Sequence, residues 1–189
     1  RGEYALNFHA GPLPEFGGWA FYNVAILEDS PEYGCSCHVM DNKFDAGPLV
    51  KVRRFKINAK KETAYSLERK AQLEMLFLFE EVLSTYEVDG SLPIEPQQKE
   101  KMRYMKAREF SKLKEIPITA TREEADKIAR AFWYPPYEMA YVKTPSGNKI
   151  EVVPEIVKEG IARKYHEDDL SRYIKVLDLA SEYTSHFCD

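Results

Sequence analysis

The stretch NFHAGPLPEFGG, Asn7 to Gly18, closes the apolar run YALNF (Tyr4–Phe8) and passes at once into a loop rich in glycine and proline. In a strand, side chains two residues apart share a face. Asn7 and His9 therefore project together into whatever space that loop walls off. An amide and an imidazole on one face at a strand end suggest a polar site rather than a core.

Working outward, WAFYNVAILE (19–28) has Trp19, Asn23 and Ile26 at helical spacing. EYGCSCHVM (Glu32–Met40) and PLVKVRRFKI (Pro48–Ile57) read as two more strands joined by the turn-like DNKFDAG (Asp41–Gly47). Lys51, Arg53 and Lys56 mark the solvated side of the second. Asp45, just past a strand end, reaches His9 if the strands beginning at Tyr4 and Glu32 are neighbours. The site then holds an amide, an imidazole and a carboxylate. The carboxylate orients the imidazole and raises its pKa. The amide N–H donates to an oxygen that becomes negative in a transition state. That set suits acyl transfer to an amine with no covalent intermediate.

Thr63 is the expected N-cap of a long helix running to about Tyr86. Leu76, Phe79, Leu83 and Tyr86 form its stripe, thickened by Met75, Leu78 and Val82. VDGSLPIEPQQ (Val88–Gln98) breaks the pattern and divides the chain at residues 89/90. Beyond it come a short amphipathic helix (106–116) and a helix opened by the capping box Thr121–Glu124. YPPY (Tyr134–Tyr137) stops that helix. A hairpin is read around PSGN (Pro145–Asn148), and a last helix from about Glu167 to Tyr183. The apolar face of that last helix is either core or a homodimer contact.

The chain has 189 residues, 44% of them hydrophobic and 31% charged, with a net charge of −4, as expected of a globular cytoplasmic protein. This balance argues against a nucleic-acid partner. No apolar run is long enough to span a membrane, and no signal peptide is read. Cys35, Cys37 and Cys188 are too few for a disulfide framework. CSCH (Cys35–His38) invites a metal reading, but alternation puts His38 on the face opposite the two cysteines. Reduced thiols packed in a strand are expected, and no metal.

Asn7, His9, Leu13-Pro14, Gly17 or Gly18, Asp45 and Gly47, in this order and spacing, resemble the signature of the formyltransferase family that uses 10-formyltetrahydrofolate. The resemblance runs from about Tyr4 to Tyr86. RYMKAREFSKLKEI and IARAFWYPPYEMAYV are similar to segments that follow the catalytic domain in nucleotide-sugar N-formyltransferases.

The resemblance implies an α/β fold. Residues 1–89 would be the later part of a formyltransferase-type Rossmann-like catalytic domain, and residues 90–189 a small α+β C-terminal region with a β-hairpin. It implies catalysis by Asn7, His9 and Asp45, and a folate-binding loop that includes Met40, Asp41, Asn42 and Asp45. It also implies that an N-terminal Rossmann-like half lies outside this sequence, in cis or on another chain, consistent with a start at Arg1 rather than Met.

The implied acceptor is a nucleotide-linked amino sugar, a precursor of surface polysaccharide such as lipopolysaccharide. Rival readings are a methionyl-tRNA formyltransferase and a non-catalytic binding or assembly module. Phe16 and Tyr134 are the candidate substrate-binding residues. Tyr137 is expected to be partly exposed, and Phe132 and Trp133 to serve as core. His38 either lines the folate pocket or is a satisfied strand histidine, and Asp41 is a solvated turn residue.

Overall fold

The computed structural model describes residues 4–19, 21–105 and 107–167. The chain divides into two compact units, residues 1–152 and 153–189.

In the first unit, β1 (Leu6–His9) leads through the Gly/Pro loop to a two-residue strand, β2 (Gly17–Gly18), and a short helix, α1 (Phe21–Leu27). β3 (Glu32–Val39) and β4 (Leu49–Lys56) flank the Asp45 turn. The order β1-β3-β4 is antiparallel throughout, so the strands carrying His9 and leading to Asp45 are neighbours. β1 pairs Asn7 with His38 and His9 with Ser36. Alternation then sorts the sheet. Leu6 and Phe8 pack with Cys35 and Cys37 in one apolar cluster, while Asn7, His9, Ser36 and His38 are left for the other face.

The apolar face is covered by α2 (Ala64–Asp89), which begins with a reciprocal capping box. The Ser66 N–H donates to the Thr63 hydroxyl, and the Thr63 N–H donates to the Ser66 hydroxyl. The helix ends at Gly90, whose φ of 69° is the left-handed conformation that glycine tolerates.

The expected stripe on this helix requires correction. Ala64, Leu67, Ala71, Leu78 and Val82 are its buried apolar residues, whereas Leu76, Phe79, Leu83 and Tyr86 remain exposed. The Phe79 ring lies tilted against Phe8, and the Tyr86 ring stands edge-on to Tyr4. The sheet residues beneath explain the rotation. Cys35 and Cys37 offer a flat apolar strip to Leu78 and Val82, while Arg53 pairs with Glu74 and Glu81, and Lys51 with Glu81. Lys51 and Arg53 thus answer acidic residues of the helix and do not simply face solvent.

A 3-10 turn (Lys99–Lys101) then leads to β5 (Tyr104–Met105), which pairs in parallel with β2. Neither strand of this pair carries a legible sequence signal. Next come α3 (Ala107–Lys112) and α4 (Arg122–Ala131), the latter opened by the Thr121–Glu124 capping box. Phe132 is buried beside α4, and Asn23 of α1 donates to the Ala131 carbonyl at 2.5 Å. β6 (Tyr141–Lys143) and β7 (Lys149–Glu151) pair antiparallel.

In the second unit, a helix not anticipated from sequence, α5, spans Glu155–Glu167. The expected helix over 167–183 and Cys188 lie outside the described residues, apart from Glu167 itself. Among the described residues no helix is long and apolar enough to cross a membrane.

Candidate active site

The Gly/Pro loop is laid over the polar face of the sheet by side chains of β3. Buried Ser36 donates to the Gly11 carbonyl and accepts from the Leu13 N–H, both at 2.8 Å. The Tyr33 hydroxyl donates to the Ala10 carbonyl at 3.0 Å. The Leu13–Pro14 bond within the loop is cis. Folded back in this way, the loop brings the Phe16 carbonyl to 2.7 Å from His9 Nε2. Gly11 is required where it stands. A Cβ there would fall 2.7 Å from the Phe16 oxygen and 2.9 Å from His9 Nε2.

A carbonyl can only accept, so Nε2 of His9 carries the hydrogen and Nδ1 of the neutral ring holds the lone pair. Nδ1 lies 3.6 Å from Asp45 Oδ1, beyond a direct hydrogen bond but near enough for charge to act. The other carboxylate oxygen accepts from the Gly18 N–H at 2.9 Å. His38 completes the group. Its Nδ1 donates to the Val39 carbonyl at 2.9 Å, which leaves Nε2 to accept from Asn7 Nδ2 at 3.0 Å. Asn7 spends one amide hydrogen on this bond, and among the described residues the second has no hydrogen-bond partner. The register of β3 against β4 shifts between Cys37 and His38. Such irregularities re-aim side chains beside sites.

Asn7, His9 and Asp45 thus converge at the strand ends. Asp45 acts on His9 in the expected upward direction, but burial outweighs it. Burial holds the pKa of His9 below its ordinary value of 6.5. The Phe16 carbonyl and Asp45 pull it upward, and His38 adds to the lowering. Desolvation penalises the imidazolium more than one carboxylate at this distance supports it. The ring is therefore neutral at pH 7, able to take a proton beside a carboxylate that favours the charged product.

The loop from Met40 to Asp45 borders this cluster. The Met40 N–H is tied to the Ala5 carbonyl, and residues 41–44 are exposed, Phe44 at 89%. Asp41 caps the Asn42 N–H. Asp45 has a φ of 53°, and Gly47 beyond it admits no side chain, because a Cβ would fall 1.8 Å from the Val39 oxygen. Gln97 was not singled out from sequence, yet it donates to the carbonyls of Asp45 and Gly47. No local pattern advertises it, since it lies in a segment that reads only as a linker.

Of the candidate substrate residues, Phe16 contributes its carbonyl here while its ring packs edge-on to Tyr33. Tyr134 lies elsewhere, lining a cavity of about 480 Å³ with Phe21, Tyr22, Phe110, Phe132 and Tyr137. Phe21 links the two regions, its ring centroid 4.7 Å from that of His9. Cys35 and Cys37 are buried against α2, and burial pushes each thiol up to about 12. Among the described residues no group of three or more His, Cys, Asp or Glu side chains is placed to hold a metal ion.

An amide donor, a neutral imidazole and a carboxylate gathered in this way are chemically able to support acyl transfer. Residues 2–82 match the family model described as Formyl transferase. The GDP-perosamine N-formyltransferase of Brucella melitensis is 27% identical over 152 residues, which is 80% of this chain and 56% of that protein. A methionyl-tRNA formyltransferase of Listeria monocytogenes is 30% identical over 111 residues, 59% of this chain and 34% of that one. Among solved structures, a 4-N formyltransferase from Francisella tularensis superposes with a TM-score of 0.70 at 25% identity, covering 80% of this chain and 62% of that one. The formyltransferase PseJ from Anoxybacillus kamchatkensis, in complex with UDP-4,6-dideoxy-4-formamido-L-AltNAc and tetrahydrofolate, matches with a TM-score of 0.50 at 26% identity. That match covers 57% of this chain and 55% of PseJ. Over residues 2–82 the chain is formyltransferase-like, and it spans about half the length of the first curated relative.

Proposed function

We propose that this protein transfers a formyl group from 10-formyltetrahydrofolate to the amino group of a nucleotide-linked amino sugar, in the cytoplasm, during synthesis of a surface polysaccharide precursor. The observation that carries the reading is the convergence of Asn7, a neutral His9 and Asp45 at one strand end. The names of the Brucella relative and of PseJ with its ligands supply the substrate class.

In this reading residues 1–89 carry the chemistry, and Phe16 and Tyr134 lie along the path of the acceptor. The remainder of the relatives' length, in cis or on another chain, completes the folate crevice. The 40–45 segment, exposed from Met40 to Phe44, with its backbone polar groups and the Asp45 carboxylate, suits the donor–acceptor edge of a pterin.

The residues divide the work as follows. The free N–H of Asn7 donates to the formyl oxygen as it gains negative charge. His9 Nδ1 takes the proton released as the amine nitrogen bonds to the formyl carbon. Asp45 supports the imidazolium. The proton then passes to the folate nitrogen as its bond to carbon breaks, and tetrahydrofolate leaves. Holding both substrates on one face supplies much of the rate.

The test has two arms. A non-transferring folate analogue titrated into the full-length protein is expected to perturb the amides of residues 40–45. Mass analysis of products is expected to show formylation of a nucleotide-linked amino sugar. Formylation of methionyl-tRNA instead would select the second reading, which the Listeria match favours and the net charge of −4 opposes. No perturbation at saturating analogue would remove the folate assignment.

A further inference from the structure

We infer that Gln97 is the positioning residue that sets Asp45 against His9. The inference rests on the reading of Asp45 as the carboxylate of the transfer site. Gln97 arrives there because Leu49, at the start of β4, exchanges backbone hydrogen bonds with Glu95 in both directions, at 2.7 and 2.9 Å. That pair lays the segment after α2 alongside the Asp45 turn. Two residues on, the Gln97 amide nitrogen donates to the Asp45 and Gly47 carbonyls, each at 2.7 Å.

Both neighbours are acceptors, so only the NH2 end of the side chain can face them, and both its hydrogens are used. The cost is visible. Oε1 of Gln97 is buried with no hydrogen-bond partner among the described residues, in a residue only 9% exposed. An apolar residue would fill the same space without orphaning an acceptor. What the amide alone can do is draw two carbonyls to one point and so fix the Asp45–Ala46 and Gly47–Pro48 peptide planes.

Those planes decide where the Asp45 carboxylate lies. Asp45 holds a φ of 53°, a conformation that L-residues leave when nothing constrains them. Gly47 is pressed against the Val39 oxygen, so the turn has little freedom beyond it. With the turn closed, Asp45 Oδ2 reaches the Gly18 N–H and Oδ1 stands 3.6 Å from His9 Nδ1. With the Gln97 amide removed, the turn relaxes toward negative φ and the carboxylate withdraws from both.

The experiment uses the full-length protein and a Gln97→Met variant, close in shape but without donors. Three readouts are expected to move together. The Gly18 amide proton shifts upfield as its carboxylate partner leaves. The NMR titration of His9, which is faced by Asp45, His38 and the Phe16 carbonyl, moves to lower pH. Turnover falls roughly tenfold to a hundredfold, the scale of a misplaced catalytic group, while KM for the amine stays near wild type. A merely structural role would lower Tm and leave the His9 titration in place.

Should the variant fail to fold, scalar coupling across the hydrogen bond from the Gln97 side-chain nitrogen to the Asp45 carbonyl carbon is measured in the unaltered protein. Its presence supports the assignment and its absence overturns it. A His9 titration and Gly18 shift that coincide with wild type also overturn it. Movement of both with unchanged turnover upholds the positioning and removes the catalytic reading of Asp45 instead.

Discussion

At His9, burial and a neighbouring carboxylate pull the proton affinity in opposite directions, and burial prevails. Two expectations follow. The base form is the neutral ring, so activity is lost as pH falls through the depressed pKa, below 6.5. Asp45→Asn removes an upward contribution and is expected to move that acidic limb lower still while reducing kcat. A pH–rate profile checks both.

Stability has its own sign. Below 6.5 the unfolded chain binds a proton that folded His9 refuses until lower pH. The His9 contribution is therefore complete above 6.5 and is lost as pH drops toward the folded value. Tm measured from about pH 8 to about pH 5 is expected to fall less steeply in His9→Gln than in wild type. The Asn7–His9 pairing was legible because alternation requires only two positions in one strand. The bond from Asn7 to His38 was not, because it depends on a register between strands 31 residues apart.

For α2, the start was legible, the helix runs to Asp89 rather than to about Tyr86, and the buried face was not legible. Thr63 and Gly90 carry their conformational reasons in their own chemistry. The helix body carries apolar residues around most of its circumference, including exposed Leu73, Leu76 and Phe77. Which of them go inward is settled by the cysteines and the Arg53 and Lys51 ion pairs of the sheet beneath. Leu78→Ala is accordingly expected to cost about 2–5 kcal/mol. Leu76→Ala, at an exposed position, should stay within about 0.5 kcal/mol of wild type. Thr63→Ala should cost about 1 kcal/mol. Denaturant unfolding of the three variants ranks them, and an equal loss at Leu76 and Leu78 would contradict the helix orientation.

Within residues 1–152, the candidate site and the Cys35–Cys37–Leu78 cluster lie on opposite faces of one sheet. Cys35 and Cys37, on the core face, are expected to resist thiol reagents in the native state. Cys35→Ser should leave the site chemistry intact, and turnover should survive a chelator. The shared face of Asn7 and His9 was legible because alternation in one strand aims both, and the nearness of Asp45 because its turn follows a neighbouring strand. The supporting parts, Ser36, Gly18, His38 and Gln97, act through hydrogen bonds between distant segments, and no local pattern marks them.

The most direct test of the central claim is the single-turnover rate of formyl transfer, with saturating 10-formyltetrahydrofolate and a nucleotide-linked amino sugar, in wild type, Asn7→Ala, His9→Ala and Asp45→Asn. Each variant is expected to slow by about a hundredfold or more while still binding the folate analogue, since each removes an interaction that strengthens in the transition state. Rates within a few-fold of wild type in His9→Ala and Asp45→Asn would contradict the account.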